Sequence, residues 1–240
     1  MKSKLNHLAI IMDGNRRWAK IRGYRIDRGY TKGISALRNI LEACLKRNIK
    51  ELSVFALSTE NWSRPKNELE LLFFLIKKFI KSDIAVLNSK NIKFRIVGNK
   101  TVFNNSLLEL LNSAENLTKN NDGMIFNVAL NYGGKEDILY ATKAMIFDHS
   151  QGILNEEDID KNTFTQYLRS SYVSDIDLII RTSNEKRLSN FFLWQSAYSE
   201  IFFSKKLWPE FDQDELDYAI ENFNATERRF GASVLTINKR

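Results

Sequence analysis

Six short apolar runs, most followed by a stretch of helical periodicity, leave this chain few architectures to adopt. Leu8 to Met12 reads as a buried strand, as do residues 51–58, 92–98, 124–130, 176–182 and 200–204. Between them the period lengthens. Leu37, Ile40, Leu41, Cys44 and Leu45 follow Ile34 at helical spacing. Pro65 can open a helix whose apolar face is Leu69, Leu72, Phe73, Ile76, Phe79 and Ile80. Further helices are expected at about 104–118, from Lys135 to Phe147, from the cap residue Ser189 through "SNFFLWQSAY", and over 212–230; residues 150–172 are more polar and read as short helices and loops. Alternation of this kind predicts a single α/β domain, 1–240, with a central, mainly parallel six-stranded sheet flanked by helices.

Ligands of such sheets sit beyond the carboxyl ends of the strands, which makes the residues just after each strand the ones to inspect. After the first come Asp13, Gly14, Asn15, Arg16 and Arg17; after the second, Ser58, Thr59, Glu60, Asn61, Trp62 and Arg64. After the fifth come Arg181, Arg187 and Ser189. Arginines, amides and hydroxyls with few carboxylates suit diphosphate, because the planar guanidinium matches phosphate oxygens and helix starts favour anions. Asp13 would repel such a ligand unless a hard cation such as Mg²⁺ bridged the two. As a plain alternative, Asp13 could cap the following helix, and the arginines singly could be surface charges.

A net charge of +7, spread along the chain, points to anionic partners without choosing among them. No nucleic-acid readout motif, Walker A sequence, G-x-G-x-x-G or D-D-x-x-D is present. One cysteine, Cys44, excludes an internal disulfide and with two histidines disfavours a zinc site; Cys44 reads as core, His7 and His149 as solvent-facing. The chain is expected to be cytoplasmic: no signal peptide is read, and "LELLFFLIKKFI" is too short and too charged to span a bilayer.

Longer blocks carry a resemblance. "HLAIIMDGNRRWAK", "FALSTENWSRP", "NYGGKEDI", "IRTSNEKRLSNFFLWQSAYSEIFFSKKLWPEF" and "ERRFG" closely resemble the cis-prenyltransferases, from about His7 to Gly231. The resemblance implies a magnesium-dependent enzyme that adds isopentenyl diphosphate in cis to an allylic diphosphate, usually farnesyl diphosphate; its bacterial members make undecaprenyl diphosphate for cell-wall lipid carriers. It implies that Asp13 handles Mg²⁺ and the leaving diphosphate, with Glu200 joining the metal site across a homodimer interface. Asn15 and Ser58 match residues that assist proton removal. Gly14, Asn15, Arg16, Arg17, Trp18, Arg25 and Tyr30 match the allylic diphosphate region. Ser58, Thr59, Glu60, Asn61, Trp62 and Arg64 match a segment that closes over substrate, and Arg181, Arg187 and Ser189 the isopentenyl diphosphate site.

The chain departs from the pattern at R-x-x-G-H-x-x-G, where Ile26 replaces the arginine and Tyr30 the histidine. The R-T-G-G pattern becomes Arg181-Thr182-Ser183-Asn184, and Leu57 stands where an aromatic is common. A polyprenyl product needs a dry tunnel, for which Leu41, Phe55, Leu75, Phe94 and Met124 are candidates. Peripheral contact with a membrane would let that product leave. The segment Phe191 to Phe203 is expected at the dimer interface. The rival readings are a noncatalytic partner subunit of the same fold, disfavoured by the retained Asp13, Arg181 and Arg187, and a basic nucleic-acid-binding module.

Overall fold

The computed structural model describes residues 5–227. Its strands are β1 (His7–Ile11), β2 (Glu51–Ser58), β3 (Lys93–Val97), β4 (Ile125–Tyr132), β5 (Leu178–Arg181) and β6 (Glu200–Phe203). Its helices are α1 (Asn15–Ile21), α2 (Ile26–Lys46), α3 (Lys66–Ser89), α4 (Asn105–Thr118), α5 (Gly134–Ser150), α6 (Lys161–Tyr167) and α7 (Gln213–Ala225), with short 3-10 turns between them. The six strands form one sheet in the order β3-β4-β2-β1-β5-β6, and every pairing is parallel.

Alternation along the central strands sorts the core into two layers. Leu8 and Ile10 of β1 join the larger cluster, with Leu52 and Val54 of β2 and residues of α2, α3, α4 and α7. Ala9 and Ile11 point the other way, into a cluster with Ala129, Tyr132, Ile179, Phe191 and Phe192. Period-two side chains on a sheet covered on both faces leave β1 wholly buried. Phe126 is fully buried and packs edge-on to Phe79 and tilted against Phe94, at 6.5 and 5.9 Å between ring centroids.

Several expectations need correction. α2 begins at Ile26 rather than Ile34, so "IDRGYTKG" is helical despite two glycines. The reason is packing: a Cβ on Gly29 would land on the Asn15 carbonyl, and one on Gly33 on the Asn15 side chain. "SNFFLWQSAY" is a chain of turns, not a helix, so Ser189 caps nothing. Ser189, Asn190 and Phe192 all have positive φ (49°, 65° and 41°). Asn190 holds that path by accepting the Lys135 N–H and donating to Glu60 and Glu136, while Phe191 and Phe192 fill the second core layer instead of facing outward. His7 is buried, not solvent-facing. Cys44 is core, as its position on the apolar face of α2 predicts. α7 ends at Ala225; the rest of the expected helix after Glu227, and most of "ERRFG", lie outside the described residues.

Candidate active site

β1 and β5 are neighbours whose following connections run toward opposite edges of the sheet, so a crevice opens between their carboxyl ends. Asp13 and Arg181 meet there. The Asp13 backbone is fixed first: its N–H donates to the Ile11 carbonyl at 3.0 Å and to Thr182 Oγ1 at 2.9 Å. Its carbonyl accepts from Thr182 Oγ1, Ser183 Oγ and the Trp208 N–H, at 2.7, 2.9 and 2.9 Å. Gly14 then turns the chain into α1 with φ of 108°, and a Cβ there would strike Ser183 Oγ. The Asp13 side chain makes no cap bond to α1. Its Oδ2 accepts from Arg181 Nη2 at 3.0 Å instead, which removes the capping alternative.

Arg181 is buried, and its Nη1 donates to the Arg187 carbonyl at 2.5 Å and to Ser189 Oγ at 2.6 Å. Its Nε is buried without a partner among the described residues. The other rim arginines also meet carboxylates. Glu68 faces Arg16 and Arg64, each at 3.3 Å, and Glu185 faces Arg17 and Arg187 at 2.6 and 2.5 Å. The guanidiniums of Arg17 and Arg187 hold the Glu185 carboxyl below the usual carboxylate range. Five arginines share three carboxylates here, Asp13 included, which leaves positive charge for an anion. The first turn of α1 adds its unpaired N–H groups.

The rim opens into a cavity of about 540 Å³, within the range of small-molecule sites. Asp13, Gly14, Asn15, Arg16, Arg17, Tyr30, Ser58, Asn61, Arg64, Arg181, Arg187 and Ser189 all line it. Its other end is apolar: Leu72, Leu75, Phe79 and Ile80 of α3 face Phe94 and Ile96 of β3. α3 thus runs from Glu68 at the rim to Ile80, about 18 Å along a helix rising 1.5 Å per residue. Of the tunnel candidates, Phe55, Leu75 and Phe94 line this cavity. Leu41 and Met124 do not; they are buried in the main core cluster.

Residues 59–64, the covering segment expected from the sequence, lie at the mouth, where Asn61 and Arg64 line the cavity. Ser58 and Asn61 cap it reciprocally. Trp62 Nε1 donates to Asn131 Oδ1 at 2.7 Å and its ring lies against Phe73 and Phe103. Thr59, Glu60 and Trp62 do not line the cavity; Glu60 borders a shallower depression beside it with Lys135 and Asn190. Trp18 is buried under α1 against Tyr24 and Arg22, and the Arg25 side chain is exposed beside Asp27. Neither reaches the cavity. Glu200 starts β6, level with Leu178 and hence with Leu8, at the opposite end of the sheet from Asp13. It cannot join Asp13 within one chain. Sequence reasoning places Glu185 after the fifth strand without giving it a role and misses Glu68, for which the i,i+4 spacing of Arg64 and Glu68 is the available signal.

Among the described residues no three His, Cys, Asp or Glu side chains gather as a metal cage. Mg²⁺ does not require one: it commonly takes one or two carboxylates and completes its shell with water and substrate phosphates. Asp13 fits, because only its Oδ2 is engaged, by Arg181.

Residues 11–231 match the prenyltransferase family model described as "Putative undecaprenyl diphosphate synthase". The ditrans,polycis-undecaprenyl-diphosphate synthase, farnesyl-diphosphate specific, of Vibrio parahaemolyticus is 44% identical over 95% of this chain and 90% of its own. An isoprenyl transferase of Geobacter sulfurreducens is 42% identical over 98% and 95%. Lavandulyl diphosphate synthase from Lavandula x intermedia, solved with dimethylallyl diphosphate, superposes with a TM-score of 0.92 at 37% identity, covering 95% of this chain and 98% of that one. A probable undecaprenyl diphosphate synthase from Campylobacter jejuni gives 0.78 at 35% identity, covering 95% and 99%.

Proposed function

The chain belongs to the undecaprenyl diphosphate synthase family of cis-prenyltransferases, and we propose that it extends farnesyl diphosphate with isopentenyl diphosphate, in a Mg²⁺-dependent reaction, to undecaprenyl diphosphate for cell-wall lipid carriers. One observation carries this reading: a rim of arginines around Asp13 opens directly into an apolar cavity. The polar rim suits diphosphate heads and the apolar end suits a prenyl tail.

In this reading the allylic diphosphate rests on the first turn of α1, held by Arg16, Arg17 and Arg64, with its tail between α3 and β3. The isopentenyl diphosphate head takes Arg181, Arg187 and Ser189. Mg²⁺, held by Asp13 and phosphate oxygens, would supply a Lewis acid for the departing diphosphate. As the allylic C–O bond breaks, the arginines and the α1 N–H groups stabilise the negative charge that develops on the leaving group. The isopentenyl double bond attacks the allylic carbon, and loss of a proton restores the alkene. Asn15 and Ser58 border that position; neither is basic at neutral pH, so a diphosphate oxygen takes the proton, with the Ser58 hydroxyl able to relay it and the Asn15 amide orienting the groups by hydrogen bonding.

A homodimer completes the reading. β6 is an edge strand; its Ile201 is exposed, as are Tyr198 just before it and Tyr218 on α7. A partner there would bring a second Glu200 into play. No helix of the described residues is long and apolar enough to cross a membrane, so release of the lipid product calls for peripheral contact. The test is incubation of the purified chain alone with farnesyl diphosphate, labelled isopentenyl diphosphate and Mg²⁺. Label in a long-chain lipid diphosphate is expected. Label appearing only after a second protein is added would make this chain a partner subunit instead.

A further inference from the structure

Tyr30 lines the cavity, yet its hydroxyl is engaged within the protein. It donates to Glu68 Oε1 at 2.9 Å and accepts from Arg64 Nη1 at 3.2 Å. Arg64 Nη1 also reaches Glu68 Oε1 at 3.3 Å, and Glu68 Oε2 faces Arg16 Nη1 at 3.3 Å. Glu68 is only 6% exposed, so its carboxyl oxygens depend on these partners for hydrogen bonds. Four elements converge on it: α2 through Tyr30, α1 through Arg16, the covering segment through Arg64, and α3, which carries Glu68 itself. We propose that the Tyr30 hydroxyl is a positioning group which, through Glu68, aims Arg64 and Arg16 at the allylic diphosphate and fastens the end of the covering segment to α2.

This inference rests on the function proposed above. The charged groups facing Tyr30 are Arg16 from α1 and Arg64 and Glu68 from the covering segment and α3. Burial pushes its phenol up to about 12, so the hydroxyl stays a donor throughout the neutral range. A tyrosine here fixes two arginines without adding a charge of its own. An imidazole at the same position would add a positive charge at low pH and lose it on the way to neutrality. Binding of a diphosphate to a histidine variant therefore weakens as pH rises, relative to the tyrosine form.

The test uses full-length protein, initial rates with farnesyl and isopentenyl diphosphates, and equilibrium binding of farnesyl thiolodiphosphate, an unreactive analogue. Tyr30→Phe is expected to raise KM for farnesyl diphosphate and Kd for the analogue about tenfold, with kcat and the isopentenyl KM little changed. Tyr30→His is expected to bind the analogue more weakly, relative to wild type, at pH 8.5 than at pH 6, by about threefold or more. Glu68→Gln, which keeps the shape and loses the charge, should reproduce the selective farnesyl effect and covers the case in which a Tyr30 variant fails to fold. Wild-type binding by Tyr30→Phe, or a Tyr30→His profile parallel to wild type, overturns the inference. An inactive wild-type chain overturns the functional reading instead, so the two failures are told apart.

Discussion

The carboxylate of Asp13 accepts a hydrogen bond from Arg181 Nη2 at 3.0 Å, joining residues 168 positions apart at the ends of two adjacent parallel strands. This pair links the two diphosphate positions of the proposed reaction. Arg181 belongs to one, and Asp13 stands at the start of α1, which serves the other.

Asp13→Ala is therefore expected to lower turnover by about a thousandfold or more, because charge stabilisation at the leaving group is lost. The fold survives, since Arg181 keeps Ser189 Oγ and the Arg187 carbonyl, at a stability cost of about 1–3 kcal/mol. Asp13→Asn should restore much of the melting temperature and none of the turnover. Steady-state rates beside thermal melts separate the two effects, and an active Asp13→Ala protein would refute the assigned role.

Product length should follow the apolar end of the cavity. Phe94 lines it, so Phe94→Leu is expected to lengthen the lipid product. Met124 is buried outside it, so Met124→Ala should cost about 2–5 kcal/mol in stability and leave product length unchanged. Chromatographic sizing of the two products checks the contrast; a longer product from Met124→Ala alone would reverse the assignment.

One hook of the covering segment is the bond from Trp62 to Asn131 Oδ1. Asn131 has φ of 50°, so Asn131→Gly removes the hook while suiting the backbone. Faster amide exchange over residues 59–64 is expected, with a higher KM for farnesyl diphosphate. Unchanged exchange there would mean that the aromatic contacts of Trp62 suffice.

Stability should fall on mild acidification through His7. Its Nδ1 lies 2.9 Å from the Ser174 carbonyl, which can only accept, so Nδ1 carries the proton and Nε2 accepts from Ser53 Oγ at 2.8 Å. Burial lowers the imidazole from its ordinary 6.5. Between the lowered value and 6.5 the unfolded chain binds the extra proton and the folded one does not. Stability thus declines as pH drops below about 6.5, by at most about 1.4 kcal/mol per pH unit. Denaturant melts from pH 7.5 to 5 should be steeper in pH for wild type than for His7→Gln; equal slopes would exclude His7 as the source.

Strand–helix alternation made the parallel sheet legible, since β1 to β6 each carry a short apolar run. The rim was legible where residues follow a strand directly, as Asp13 and Arg181 do. Glu68 was not, because its partners Tyr30, Arg16 and Arg64 come from three other segments and on a helix it reads as an ordinary surface acid. The turns at 189–198 were hidden for a similar reason: an apolar "FFLW" suits a helix, whereas the tertiary bonds of Asn190 to α5 and Glu60 and of Ser189 to Arg181 hold the positive-φ path there. Gly29 and Gly33 look like helix breakers until the close approach of Asn15 accounts for them.

In the proposed reaction one mouth holds both diphosphate heads and one apolar cavity takes the growing tail. A crystal structure with farnesyl thiolodiphosphate and Mg²⁺ tests it most directly. The diphosphate is expected within hydrogen-bonding reach of Arg16, Arg17 and the first turn of α1, and the farnesyl chain between Leu72 and Phe94. A tail lying outside that cavity, or a diphosphate bound away from Asp13 and these arginines, would contradict it.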